Sequence, residues 1–300
     1  VTKSGFVSLT GRPNVGKSTL MNTILGEKIS ITSAKPQTTR NRIHGVYTKD
    51  DTQIVFVDTP GLLTGGTSKH KLDDYMKEAS VGTIGQVDLV LMVVEAGLPK
   101  TADEKIIQML QQKDAMVVLV INKIDTISSD KLLASIAAFR ALYDFEEIVP
   151  VSAKTGKNMD ELMKVLESLM QEGPFFFPED ELTDQPERAL AAEFIREKAL
   201  RFLQEEIPHG IAVVIDTFDE REDKPIIDIN ATIICEKESH KPIIIGKGGA
   251  MLKKIGQAAR EDMEELFGTK VNLKLWVKIK ERWRDSDYLV KNFGFDKKEL

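Results

Sequence analysis

Gly11-Arg12-Pro13-Asn14-Val15-Gly16-Lys17-Ser18 fits the phosphate-loop pattern G-x-x-x-x-G-K-[ST], and it falls between the apolar run Phe6–Leu9 and a stretch of helical spacing. A strand, this loop and a helix in that order leave few folds open. The glycines let backbone N–H groups turn toward a polyphosphate and the helix presents its positive end to it. Lys17 reaches the outer phosphates and Ser18 offers a hydroxyl to Mg²⁺. Gly11, Asn14, Val15, Gly16, Lys17, Ser18 and Thr19 are therefore the expected phosphate-side contacts.

The same alternation continues to about residue 172. Gln53–Val57, Leu89–Glu95 and Met116–Ile121 are short runs rich in valine and isoleucine, each followed by helical spacing, as buried parallel strands read. The pattern predicts an α/β domain over residues 1–172 with a mostly parallel sheet. Gly173, Pro174 and Pro178 around Phe175–Phe177 then break it and open an acidic connector over 173–185, whose phenylalanines are expected to pin it to one domain. Residues 186–300 read as an α+β unit. Helix is expected at Glu187–Glu206 and Ala250–Phe267, and strand at Ile211–Phe218, Ile226–Glu236 and Val271–Lys280. The charged tail carries Trp283, Tyr288 and Phe293, which suggests that it docks.

Three further elements sit where strands of the first domain should end. Asp58-Thr59-Pro60-Gly61 follows the third strand, so Asp58 can hold a metal and the Gly61 N–H can face a terminal phosphate. Asn122-Lys123-Ile124-Asp125 and Ser152-Ala153-Lys154 follow the next strand ends and choose the base. A carboxylate at Asp125 can accept from the ring N–H and exocyclic amine of guanine, a donor pair that adenine lacks. Lys123 is expected along the base plane and the Ala153 N–H at the guanine carbonyl.

This order and spacing resembles the Ras-like GTPase superfamily. The resemblance implies Mg²⁺ beside GTP or GDP, and marks Pro36-Gln37-Thr38-Thr39-Arg40 as the first switch, with Thr39, favoured over Thr38, joining Ser18 and Asp58 as a metal ligand. Where Ras-like enzymes carry a catalytic glutamine this chain has Leu62, which cannot orient water. Slow intrinsic turnover is expected, with Lys17, Thr39, Gly61 and Asn14 as the catalytic set. Asn14 resembles the asparagine of potassium-activated relatives and is assigned to K⁺; the alternative is that it caps the loop through backbone bonds.

Charge separates the two halves. Residues 1–178 hold 20 Lys/Arg and 21 Asp/Glu, 179–240 hold 7 and 17, and 241–300 hold 14 and 9, so only the last segment suits a polyanion. Within it, Ile245-Gly246-Lys247-Gly248-Gly249 joins an apolar run, read as buried, to a helix carrying Lys253 and Lys254. It fits the GxxG loop that clamps single-stranded RNA backbone in KH domains. Alternation in the final strand puts Lys274, Trp276, Lys278 and Lys280 on one face, where Trp276 either stacks on bases or packs under the tail. Cys235 shares parity with core isoleucines and reads as core. A single cysteine excludes an internal disulfide, four scattered histidines offer no ligand cluster, and no apolar run is long enough for a membrane span.

A P-loop GTPase domain followed by a type II KH domain is similar to the Era family of ribosome-assembly GTPases. That resemblance implies binding to the 3′ end of small-subunit (16S-type) ribosomal RNA and a role in assembly of the small ribosomal subunit. It also implies a cytoplasmic monomer with peripheral contact at the inner face of the cell membrane. Two other readings stay open: a GTP-regulated binding module with incidental turnover, and a KH-like unit that binds protein.

Overall fold

The computed structural model describes residues 1–35, 37–62 and 69–299; Pro36 of the switch segment and Leu300 lie outside them. The first half runs β1 (Lys3–Thr10), α1 (Lys17–Leu25), β2 (Ile43–Lys49), β3 (Thr52–Asp58), α2 (Lys71–Ile84), β4 (Leu89–Glu95), α3 (Thr101–Gln112), β5 (Val117–Asn122), α4 (Ser129–Arg140), β6 (Glu147–Pro150), α5 (Met159–Leu169) and the short β7 (Gln171–Glu172). Among the described residues the strands order β2-β3-β1-β4-β5-β6, with β7 on the far end of β1. β2 runs antiparallel to β3, and β3, β1, β4, β5 and β6 are mutually parallel. Every residue of β5 is buried, as helices on both faces of a parallel sheet require. The parallel strands all deliver their C-terminal ends to one edge, where ligands of open α/β sheets bind.

The connector is tied to this sheet. Gln53 Oε1 accepts the N–H groups of Phe176 and Phe177 at 2.7 and 3.0 Å, and the Phe176 ring lies 4.7 Å from that of Phe6. Val46 N–H donates to the Leu182 carbonyl at 2.8 Å, so the acidic stretch covers the open edge of β2.

The second half runs α6 (Glu187–Phe202), β8 (Ala212–Glu220), β9 (Ile226–Cys235), α7 (His240–Ile245), α8 (Ala250–Phe267), β10 (Lys270–Ile279) and α9 (Asp287–Asn292). Its sheet orders β10-β9-β8 and is mixed, with β10 parallel and β8 antiparallel to β9. α6 stops at Phe202, short of Glu206: Leu203 turns extended and buries, and the Lys35 ammonium takes the Leu200 and Leu203 carbonyls. The apolar run before the glycine loop is not uniformly buried either. It forms the helix α7, which of its three isoleucines fully buries only Ile244 and leaves Ile243 51% exposed, because helical turns cannot face three consecutive residues to one core. Cys235 is fully buried.

The tail docks through Trp283, whose Nε1 donates to the Gly210 carbonyl at 2.9 Å. With Val290 and Phe295 it forms a core against Leu72, Tyr75 and Met76 of α2, joining the two halves; Tyr288 stays outside at 73% exposure.

Candidate functional site

At the end of β1 the chain turns through residues 11–16 into α1, and Lys17, the first helical residue, is buried with its ammonium donating to the Gly11 and Arg12 carbonyls at 3.3 and 3.1 Å. Burial lowers its pKa to about 8 against the attraction of Asp58, so it keeps its charge at neutral pH. Asp58, at the end of β3, is fully buried and its carboxyl is pushed up by that burial, opposed by Lys17 and by hydroxyl donors. Ser18 and Ser30 hydroxyls donate to its Oδ2 at 2.6 and 2.7 Å. The Thr39 hydroxyl lies 3.4 Å from the same oxygen and 3.0 Å from Ser18 Oγ. Thr38 turns away, donating to the Lys35 carbonyl at 2.7 Å.

Asp58 Oδ1 is buried and has no protein partner. A carboxylate with a spare oxygen beside two aliphatic hydroxyls is a hard-oxygen donor set, and these residues fit Mg²⁺. Gly61 packs on the phosphate loop, where an added Cβ would come within 2.7 Å of Pro13 N, and the Leu62 N–H donates to the Gly11 carbonyl at 3.0 Å. The Leu62 side chain is buried, 7% exposed, in the core that includes Ile84 and Val90. The cavity above the loop measures about 450 Å³ and takes in Asn14, Lys17, Thr19, Thr39, Gly61 and Lys123.

The base-side elements meet at the ends of β5 and β6. Asp125 is exposed and its Oδ1 accepts the Ser152 hydroxyl at 2.6 Å, which lowers its pKa. Lys123 Nζ donates to the Asn14 carbonyl at 2.9 Å and to Glu95 at 3.0 Å, laying its stem across the gap between phosphate loop and base loop. Asn122 acts as a clamp. Its Nδ2 donates to the Val15 carbonyl at 2.9 Å, over Gly16, while its Oδ1 accepts from Lys123 N–H and Ala153 N–H at 2.8 and 3.0 Å. The Ala153 N–H, expected at the guanine carbonyl, is thus committed to Asn122, because that buried amide oxygen needs its donors. Lys154 is exposed beside it.

In the second half, Gly246–Gly249 links α7 to α8, with positive φ at Gly246, Gly248 and Gly249. Gly248 sits at φ +59° with nothing within 4 Å of an added Cβ, so the loop's outer side is open for close approach. Lys247 and Lys253 are exposed around it, and Ile245 is half-buried behind it. A groove of about 460 Å³ runs from Gly249 and Lys253 past Gln257 and Arg260 to Leu273 and Leu275 of β10.

A family model described as 50S ribosome-binding GTPase matches residues 6–123, and one described as KH domain matches residues 206–284. The GTPase Era of Ruminiclostridium cellulolyticum is 53% identical over 294 residues, spanning 98% of this chain and 97% of the relative. That of Clostridioides difficile is 51% identical over 298 residues, spanning 99% of each chain. The chain belongs to the Era family of GTPases. Among solved structures, an Era in complex with MgGDPNP and nucleotides 1506–1542 of 16S ribosomal RNA matches with a TM-score of 0.94 at 40% identity, covering 98% of this chain and 99% of that one. A variant Era from Aquifex aeolicus bound to GDP·AlF₄⁻ gives the same TM-score and identity.

For an Era-family chain the expected residues are mostly brought together, with two departures, the Ala153 N–H already taken by Asn122 and the sheet face that carries the β10 residues. Lys274, Trp276 and Lys278 are exposed on β10, Trp276 at 59%, so Trp276 does not pack under the tail; that place belongs to Trp283. They lie on the sheet face opposite α8, however, and do not line the groove that begins at the glycine loop. Lys280 is exposed just past the strand. Lys254 is exposed on α8, with its ammonium 4.3 Å from the centre of the Phe202 ring. Ser30, which bonds Asp58, and Arg196, which bonds the Thr38 carbonyl, were not legible as site residues, since no local motif marks them.

Proposed function

We propose that this chain hydrolyses GTP to GDP and phosphate and binds the 3′ end of small-subunit ribosomal RNA, acting in assembly of the small ribosomal subunit. Residues 1–172 would form the GTPase domain, 173–185 the linker and 186–300 the KH domain with its tail. The observation that carries the reading is Asp58, whose free buried oxygen lies beside the Ser18 and Thr39 hydroxyls next to Lys17. Ser18, Thr39 and Asp58 would hold Mg²⁺. When bound, the ion neutralises charge on the β- and γ-phosphate oxygens. Lys17 reaches the same oxygens, the Gly61 N–H faces the terminal phosphate, and the N–H groups of Gly11 to Thr19 cradle the rest. Asp125, steadied by Ser152, reads guanine, with Lys123 along the ring and Lys154 at its edge.

Asn14 is assigned to a monovalent cation, K⁺. Its Nδ2 donates to the Ala34 carbonyl at 2.9 Å, which also supports a loop-capping role. RNA is expected on Ile245–Gly249, Lys253 and Lys254, with Lys274, Trp276, Lys278 and Lys280 meeting a second stretch on the other sheet face. No helix among the described residues is long and apolar enough to cross a membrane. A cytoplasmic monomer with peripheral contact at the inner face of the cell membrane rests on the family resemblance.

Burial of Leu62 favours one second reading, in which GTP sets the geometry of the RNA-binding surface and turnover is incidental. Multiple-turnover phosphate release, with and without RNA, separates the two: a single turnover without recycling would replace the enzyme by the switch. Crosslinking in cells followed by sequencing tests the RNA, and reads outside the 3′ end of the small-subunit RNA would sink that assignment.

A further inference from the structure

Residues 28–35 and 37–41 of the first domain lie against α6 and the turn that follows it, and their bonds to the second half recur along both stretches. Lys28 Nζ is 2.5 Å from both Glu197 Oε2 and Asp262 Oδ2. The Thr32 N–H donates to Glu197 Oε1 at 2.8 Å, and Lys35 Nζ to the Leu200 and Leu203 carbonyls. The two bonds nearest the metal-ligand candidate matter most. Arg196 Nη2 donates to the Thr38 carbonyl, and Arg40 donates to the Ile211 and His209 carbonyls at 2.6 and 2.9 Å. Thr39 is therefore flanked on both sides by residues fastened to the second half of the chain.

Both arginines are 1% exposed, and each keeps one buried nitrogen without a partner, Nε in Arg40 and Nη1 in Arg196. Glu193 grips Arg196 from its own helix through Oε1 at 2.8 Å and Oε2 at 2.5 Å. Burying two guanidinium groups near one another is poor design for stability alone, whereas a fixed register is the better-attested use of such groups. Here the register fixed is that of Thr38, and with it the direction of the Thr39 hydroxyl toward Ser18 and Asp58.

We infer that Arg196 is a positioning residue for GTP hydrolysis: by holding the Thr38 carbonyl it sets the Thr39 hydroxyl in place, so that α6 of the second domain completes the catalytic site of the first. The inference rests on the reading of Thr39 as a Mg²⁺ ligand. A GTPase domain whose partner has swung away then keeps its phosphate loop and base loop, which are built from its own strands, but loses the fixed threonine. Nucleotide affinity and turnover should separate accordingly.

The test uses the full chain with Arg196→Met, Arg196→Lys, Glu193→Gln and Thr39→Ala, comparing GTP hydrolysis across a Mg²⁺ titration with fluorescent GDP affinity. Arg196→Met should lower kcat about tenfold and raise the Mg²⁺ needed for half-maximal rate, with GDP affinity within roughly twofold of the parent, the pattern of a misplaced group and not of a lost binding site. Arg196→Lys should recover part of the rate, since an ammonium can donate to the same carbonyl. Glu193→Gln, which loosens Arg196 without removing it, should fall between; it decides the matter if Arg196→Met does not fold. Parental kcat and Mg²⁺ dependence in Arg196→Met, or in Glu193→Gln in that event, while Thr39→Ala loses both, would overturn the inference and leave the ligand reading standing. If Thr39→Ala itself behaves like the parent, the ligand reading beneath it is wrong.

Discussion

The Ser152 hydroxyl donates to Asp125 Oδ1 at 2.6 Å, which orients a carboxylate that stands exposed at the mouth of the base site. This bond lowers the Asp125 pKa, so the group is ionised at neutral pH and accepts from two donors at once. Asp125→Asn replaces one acceptor by a donor. GTP affinity should fall roughly 10²-fold while xanthine nucleotides gain, because xanthine presents a carbonyl where guanine has its amine. Competition of GTP and XTP against a fluorescent nucleotide measures both. Unchanged GTP affinity would mean that Asp125 does not read the base.

The parts of this site visible in the sequence are those made by consecutive residues. Lys17 and Ser18 follow a strand, Asp58 ends one and Asp125 follows another, so strand-end position and residue type together located them. Sequence favours Thr39 over Thr38 only through the family resemblance, since two adjacent threonines differ in direction and not in chemistry; the Lys35 carbonyl takes Thr38 and leaves Thr39 for Asp58. Ser30 and Arg196 reach the site across 28 and 158 residues of chain, and nothing in their neighbours signals a partner that far away. The lysines of β10 show the converse failure. Alternation correctly placed Lys274, Trp276 and Lys278 together, but strand parity cannot say which face of the sheet the glycine loop opens on.

That separation of faces yields a paired expectation for RNA. Gly248→Asp puts negative charge where nothing of the protein stands within 4 Å, and aspartate accepts a left-handed backbone better than most side chains, so the fold should lose only about 1–2 kcal/mol. Single-stranded RNA affinity should nevertheless drop, with GTP affinity nearly unchanged. Lys274→Ala with Lys278→Ala should act differently, reducing the salt slope of binding by about two without changing sequence preference. Filter binding across a salt series distinguishes them; full RNA affinity in Gly248→Asp would remove the loop from the interface.

The charged cluster that anchors α6 to both neighbours gives a pH signature. Burial opposes ionisation of Asp262, but hydrogen bonds from Lys198 and Lys28 outweigh it and hold the carboxyl below its usual range. Burial likewise opposes the charge of Lys198, and its bonds to Asp262 and Glu197 raise its pKa. A carboxylate with a lowered folded pKa stabilises above its ordinary value near pH 3.8 and loses that contribution as pH falls through the folded value. Asp262→Asn should thus be less stable than the parent by about 1–2 kcal/mol at pH 7, a buried pair discounted for its partial exposure. The gap should close progressively below about pH 4. Urea unfolding of both proteins between neutral and acid pH checks it, and a gap that stays constant with pH would assign the loss to packing.

Leu62 leaves hydrolysis without a side chain to polarise water, so charge developing between the β- and γ-phosphates must be met by other means. Lys17 is one, and the cation proposed at Asn14 would be another. Asn14 sits in the loop at φ +65°, exposed above the cavity, with its backbone carbonyl taken by Lys123 and its Nδ2 by the Ala34 carbonyl, just before the switch segment. That leaves Oδ1 for a ligand, and an amide oxygen suits a monovalent cation better than any donor. GTP hydrolysis should therefore run faster in KCl than in NaCl at equal ionic strength, by roughly tenfold if the cation substitutes for part of what an arginine finger supplies in other GTPases. Asn14→Ala should abolish the difference and bring the KCl rate down to the NaCl rate, with fluorescent GDP affinity close to that of the parent. Because the same side chain also ties the phosphate loop to Ala34, a purely structural role predicts something else: an equal loss in both salts. Equal parental rates in the two salts, or a K⁺ preference that survives the substitution, would end the assignment of Asn14 to the cation and leave its bond to Ala34 as its whole contribution.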